Sequence, residues 1–204
     1  METTNYKDRV FKTARLDSIS ERFLSDREKG LLGQDKGAFV DLNNALNAIR
    51  GKKNLLLCGE TGRGKTYLAF ELAMRLKEQT DGEARIYYNR ASVLVSEFKG
   101  NFKNIAKTLQ GVFAKESIFY NEPPTPCKLV IIDELHQLQN ADDWEIINET
   151  IMTAYDKLVP LCLIFNDDPK NLLKFLSDMA VSRLKQGGGI VVLEIKGVDL
   201  RGEK

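Results

Sequence analysis

Residues 54–66 read Asn-Leu-Leu-Leu-Cys-Gly-Glu-Thr-Gly-Arg-Gly-Lys-Thr, and the architecture of the chain follows from how that stretch is punctuated. Asn54 to Cys58 is a short leucine-rich run of the kind that forms a fully buried strand, and a helical pattern opens at Tyr67. The turn between them matches G-x-x-x-x-G-K-[ST], with glycines at 59, 62 and 64. Such a turn aims successive backbone N–H groups inward, and the helix behind it adds the positive end of its dipole, so an anion finds donors already arranged. Gly59, Glu60, Thr61, Gly62, Arg63, Gly64, Lys65 and Thr66 are therefore the candidate phosphate cradle. Lys65 is expected to reach the β- and γ-phosphates of a triphosphate, and the Thr66 hydroxyl to ligate Mg²⁺.

Beyond that stretch, short apolar runs alternate with helical patterns. Segments 54–58, 85–89, 128–132, 160–165 and 190–195 read as strands, which predicts an α/β fold with a five-stranded parallel sheet between helices. Leu68, Ala69, Leu72, Ala73 and Leu76 fall on one face of the helix after the cradle, with Glu71 and Arg75 spaced for an i,i+4 pair. Upstream, Phe39, Leu42, Leu46 and Ile49 recur at helical spacing before Gly51. Downstream, Asp142 or Asp143 is expected to cap a helix burying Ile146, Ile147, Ile151 and Tyr155. The expected organisation is residues 1–50 as a lead-in segment and helix of the same domain, then a core over 51–204. That core carries a helical insertion over 91–116, split near Gly100, and the proline-rich turn 122–126.

Bulk composition excludes several classes. At 204 residues, 43% hydrophobic and 29% charged, the chain has the make-up of a water-soluble protein with one well-buried core. No apolar stretch is long enough to span a bilayer, and the first residues lack the apolar run of a secretory signal, so a cytoplasmic location with no membrane partner is expected. A formal net charge of +1 excludes coating of nucleic acid by bulk charge. Cys58, Cys127 and Cys162 lie far apart in apolar runs and read as buried thiols, while a single histidine, His136, excludes mechanisms that need two imidazoles.

Leu129-Val130-Ile131-Ile132-Asp133-Glu134 ends a buried strand in two carboxylates, where ligands of open α/β sheets collect. Asp133 would hold Mg²⁺ and Glu134 would polarise an attacking water as general base; the bland alternative is an acidic helix start. Asn166 ends the strand-like run 161–165 and would orient the water or sense the γ-phosphate, unless Asn-Asp-Asp-Pro is only a turn. Asn89, at the end of the second strand, is placed to hydrogen-bond Glu134 and hold it back. Arg183, in Ser-Arg-Leu before a glycine turn, suits insertion into a neighbouring copy's site, the alternative being a solvated helix arginine. Lys99, Lys103 and Lys107, spaced by four beside Phe98 and Phe102, would make a cationic stripe for DNA if one helix ran through them; a solvated face is the alternative.

Together these residues resemble the AAA+ ATPase domain of DnaC/DnaI-type replicative helicase loaders and their relative, the IstB-type transposition ATPase. The likeness runs from Ala14-Arg15-Leu16-Asp17-Ser18-Ile19 through the cradle and Asp133-Glu134 to Ser182-Arg183-Leu184 and a terminal Gly197-x-x-x-Arg201. The resemblance implies a P-loop fold without a C-terminal helical lid, and ATP-dependent assembly into a ring or spiral. It also implies Arg183 acting in trans as arginine finger, Asn166 as sensor 1, and a hexameric replicative helicase and single-stranded DNA as partners. Loaders carry a further N-terminal domain, whereas about fifty residues precede the first strand here. Two other readings are a small-molecule kinase, disfavoured by the base for water and the missing arginine-rich lid, and an IstB-like transposition ATPase or nucleotide-gated DNA-binding adaptor.

Overall fold

The computed structural model describes residues 36–80, 84–99, 109, 127–186 and 188–196. Ala14–Ile19, the turn at 122–126, Gly197 and Arg201 lie outside these residues. In chain order the elements are α1 (Lys36–Arg50), β1 (Asn54–Cys58), α2 (Lys65–Glu78), β2 (Arg85–Arg90), α3 (Ala91–Phe98), β3 (Cys127–Asp133), a 3-10 turn (Leu135–Gln137), α4 (Ala141–Asp156), β4 (Leu161–Ile164), α5 (Pro169–Phe175), α6 (Asp178–Gln186) and β5 (Ile190–Glu194). The strands form one five-stranded sheet in the order β2-β3-β4-β1-β5. Every pairing is parallel, with Leu56 opposite Leu163 and Val192, and Ile131 opposite Tyr88 and Cys162.

A parallel sheet must be covered on both faces, which is why its inner strands read as unbroken apolar runs. The period of two then divides each run between the layers. Leu55 and Leu57, with Leu129, Ile131, Cys162 and Ile164, pack beneath α1 and α2 against Leu46, Ile49, Ala69, Leu72 and Ala73. Leu56 and Cys58, with Val130, Ile132, Leu161 and Leu163, face Leu94, Phe98, Ile146, Ile147 and Ile151 of α3 and α4. Asn54 closes the lower end of this core: its Oδ1 accepts from the Leu161 N–H at 3.0 Å and its Nδ2 donates to the Leu184 carbonyl at 3.0 Å. One buried amide thereby ties the starts of β1 and β4 to α6.

Local details follow the sequence with one correction. Glu71 and Arg75 pair at 2.9 Å on α2, as their spacing predicts. The N-cap of α4 is Asn140, not Asp142 or Asp143, and the Asn140 Nδ2 donates to Asp143 Oδ2 at 3.3 Å. Asn140 is the residue with extended backbone angles, so the two aspartates occupy the first turn, where their charge faces the helix dipole. The segment 91–116 begins as α3, which ends at Phe98; Leu109, described alone beyond it, is fully buried. The three cysteines are free and buried, and burial pushes the Cys127 thiol up to about 11. Among the described residues no helix is long and apolar enough to cross a membrane.

Ile131 has no exposed surface in the middle of β3. Its truncation to alanine should cost about 2–5 kcal/mol of unfolding free energy through lost transfer energy and a residual cavity. A urea titration should show the lower midpoint with an unchanged slope.

Candidate functional site

The cradle leaves β1 at its carboxyl end and turns into α2. Gly59, Gly62 and Gly64 all have positive φ, at 121°, 87° and 82°. At Gly59 a Cβ would also sit 2.8 Å from the Ile195 carbonyl oxygen, because the end of β5 passes directly beside it. Gly64 is the N-cap of α2 and offers no side-chain cap, so the first N–H groups of the helix open towards the loop. Lys65 is 4% exposed, and its Nζ donates to the carbonyls of Gly59 at 2.8 Å and Glu60 at 2.6 Å. The ammonium thus lies across the mouth of the turn. Arg63 folds back onto Glu60 at the exposed rim.

The end of β3 comes to the same place. The Thr66 hydroxyl donates to Asp133 Oδ2 at 2.8 Å, across the intervening β4, and the Tyr88 hydroxyl donates to the same oxygen at 3.1 Å. Asp133 Oδ1 accepts from the Glu134 N–H at 2.7 Å, so the nearly buried carboxylate is fixed from three sides. Burial, with the charge of Asp133, pushes the Tyr88 phenol far above its usual range, so it stays a donor. Two hard oxygen donors 2.8 Å apart match the edge of an octahedron with metal–oxygen distances of about 2.0–2.1 Å. Among the described residues no group of three or more His, Cys, Asp or Glu could hold a metal by itself. Two oxygen donors at this spacing would suit Mg²⁺ that takes its remaining ligands from water and phosphate.

Glu134 adopts the left-handed region, φ 59° and ψ 34°, as the chain leaves β3 for the 3-10 turn. Its carboxylate meets the Arg90 guanidinium at 3.6 Å, and that charge raises the Arg90 pKa above its ordinary value. The expectation that Asn89 holds Glu134 is corrected: Asn89 is buried and its Nδ2 points to the Tyr87 hydroxyl at 3.4 Å. The strand end was well chosen but the parity was not. Side chains alternate along a strand, so Tyr88 and Arg90 share one face while Tyr87 and Asn89 share the other. Because Arg90 stands opposite Asp133 in the β2–β3 register, it reaches the next residue. Tyr88 and Arg90 are site residues that sequence reading missed.

Asn166 follows β4, which pairs with β1, so it stands beside the cradle; its Nδ2 lies 3.1 Å from His136 Nε2. Arg183 is elsewhere. It lines a cavity of about 280 Å³ with Lys52, Asn54, Tyr155 and Leu161, at the amino ends of β1 and β4. The five residues of β1 separate that end from the cradle by about 13 Å at 3.3 Å per step. The Arg183 guanidinium sits 4.5 Å above the Tyr155 ring, Nη1 donates to Gln186 Oε1 at 3.3 Å, and Nε is buried without a hydrogen-bond partner. Lys99 pairs with Asp143 at 3.3 Å just past the end of α3, and Phe98 beside it is a core residue, 1% exposed. Lys103 and Lys107 lie outside the described residues.

Comparison with known proteins places this geometry. A family model described as "Schlafen group 3, DNA/RNA helicase domain" matches residues 52–168. No curated protein matches the sequence. Among solved structures, the DnaC helicase loader is similar at TM-score 0.58 and 18% identity over 80% of this chain and 92% of that one. DnaI is similar at TM-score 0.52 and 19% identity over 90% and 91%. AMPPCP-bound DnaA from Aquifex aeolicus gives 0.57 and 18% over 82% of this chain, which spans about half (49%) of that one. The fold is that of P-loop AAA+ ATPases.

Gly59 generates a test of the turn itself. Gly59→Ala combines left-handed backbone with a Cβ 2.8 Å from a carbonyl oxygen. It should destabilise the protein by about 1–3 kcal/mol, read as a lowered thermal midpoint.

Proposed function

Since the chain belongs to the Schlafen group 3 DNA/RNA helicase domain family, we propose that it binds and hydrolyses Mg-ATP and uses the cycle to load or remodel a replicative DNA helicase. The observation that carries the ATPase reading is the 2.8 Å hydrogen bond from Thr66 to Asp133, which brings the phosphate cradle and the acidic strand end to one point. An arriving triphosphate takes the backbone N–H groups of residues 61–66, and Lys65 exchanges the Gly59 and Glu60 carbonyls for β- and γ-phosphate oxygens. Thr66 and Asp133 are the residues to hold Mg²⁺, which when bound neutralises charge between the phosphates. Tyr88 keeps Asp133 in position. Glu134, released from Arg90, accepts a proton from the attacking water, and Asn166 orients that water against the γ-phosphate.

Arg183 completes the site from outside. Its place at the opposite ends of the strands keeps it from its own cradle, so a second copy is its natural target in a ring or spiral. An arginine supplied in trans stabilises the charge of the transferring phosphoryl group by about 10³–10⁵ in turnover. The partners in this reading are a hexameric replicative helicase and single-stranded DNA, supported by the similarity to DnaC, DnaI and DnaA. The candidate DNA contacts in this reading are Lys99, Lys103 and Lys107.

The family match favours a second reading, in which the chain is itself the motor core of a DNA/RNA helicase. Strand separation by the chain alone supports that reading. ATP-dependent capture of a hexameric helicase onto single-stranded DNA, without unwinding by the chain, supports the loader.

The ATPase reading is tested at the cradle. Lys65→Ala should lose Mg-ATP affinity by at least about a hundredfold in a fluorescent-nucleotide titration, the scale of a charge-assisted contact to phosphate. Unchanged affinity removes the assignment. Glu134→Gln should instead bind ATP normally and accumulate the assembled state by light scattering, with phosphate release lost.

The trans geometry is tested by mixing. Arg183→Ala should keep monomer affinity and lose assembly-stimulated turnover by about 10³-fold. Adding Lys65→Ala protein should restore phosphate release that neither variant shows alone, since each supplies the half that the other lacks.

A further inference from the structure

His136 is the chain's only histidine and sits in the 3-10 turn after the acidic pair. None of the roles assigned so far uses it, yet its Nε2 lies 3.1 Å from the Asn166 amide nitrogen. This contact joins two loops that the sheet does not join directly at that level: the one leaving β3, which carries Glu134, and the one leaving β4, which carries Asn166. An asparagine at a strand end can present either its NH₂ or its carbonyl oxygen to a ligand, and the two ends have opposite preferences for an anion.

We propose that His136 is the positioning residue for Asn166: its unprotonated Nε2 accepts one amide hydrogen, leaving the second N–H of the same NH₂ to face the phosphate site. The neutral ring then carries its proton on Nδ1, since Nε2 must present a lone pair. A protonated ring is a donor at Nε2, and the amide must turn over to offer its oxygen. Acid therefore exchanges the end of Asn166 that meets the γ-phosphate. The charged groups that act on the ring are Glu134 and Asp133 from β3 and the turn, which favour protonation, and Lys65 from α2, which opposes it. Partial burial is the largest influence, and the ring is held below its ordinary value, which favours the uncharged form, the one whose Nε2 can present a lone pair.

The catalytic consequence rests on the ATPase reading, whereas the hydrogen bond does not, so the experiment has two arms. Because the chain has one histidine, a long-range ¹H–¹⁵N spectrum of the full chain reports a single imidazole. The expected neutral form has hydrogen on Nδ1, and its protonation midpoint rises towards the ordinary value in Asn166→Ala. A neutral ring protonated on Nε2, or a midpoint indifferent to Asn166→Ala, overturns the proposal. In the second arm, His136→Ala should lower kcat for ATP by about three- to tenfold, the scale of one hydrogen bond, with nucleotide affinity unchanged. His136→Gln, whose amide oxygen can accept in place of Nε2, should recover kcat to within about twofold and lose the acidic limb of the wild-type pH profile. Equal impairment of both variants, or none in either, overturns the coupling. A wild-type chain that binds no nucleotide defeats the ATPase reading and the coupling with it, while the spectrum still decides the bond.

Discussion

The hydrogen bond from Thr66 to Asp133 is the contact on which the organisation of this molecule turns. Its two ends belong to α2 and β3, elements far apart in sequence, and β1, which leads into α2, is separated from β3 in the sheet by β4. They meet only because β1, β4 and β3 are held parallel and in register by cores on both faces, and because three left-handed glycines let the chain double back between β1 and α2. A side chain at Gly59 would collide with the end of β5, so the turn is shaped by its neighbour as much as by its own residues. The core thus does positional work: burial of the strand leucines and isoleucines fixes the strand ends, from which the cradle, α2 and the acid pair depart.

Much of this was legible in the chain. The strands of an all-parallel sheet are apolar on both faces, and their runs stand out between amphipathic helices without any pairing information. The cradle is a local motif, so its residues could be named from sequence alone, and Asp133-Glu134 mark a strand end by the abrupt change from isoleucine to carboxylate. What sequence reading missed is what depends on register. Arg90 reaches Glu134 because it stands opposite Asp133, and Asn89 does not because one residue along a strand reverses the face. Likewise Asn140, rather than the acidic pair after it, caps α4, since only backbone angles distinguish a cap from a first turn. Residue 136 carried no message until the turn after β3 set it beside Asn166.

The molecule has two ends with different chemistry. At the carboxyl ends of the strands lie Lys65, Thr66, Asp133, Glu134 and Asn166, with the lysine hydrogen-bonded to backbone carbonyls and the glutamate paired with Arg90. At the amino ends, Arg183 rests on Tyr155 with one nitrogen unpartnered, a contact worth about 0.5–2 kcal/mol that a stronger anionic partner would replace. In the proposed assembly the Lys65 and Arg183 contacts are exchanged for contacts to nucleotide.

The central claim is that a triphosphate enters the β1–α2 turn and displaces Lys65 from the loop's own carbonyls. A crystal structure of the chain with Mg²⁺ and a non-hydrolysable ATP analogue tests it most directly. The account predicts Lys65 Nζ on phosphate oxygens instead of the Gly59 and Glu60 carbonyls, with Thr66 and Asp133 beside the ion. A nucleotide bound elsewhere, with Lys65 still lying across the turn, would contradict it.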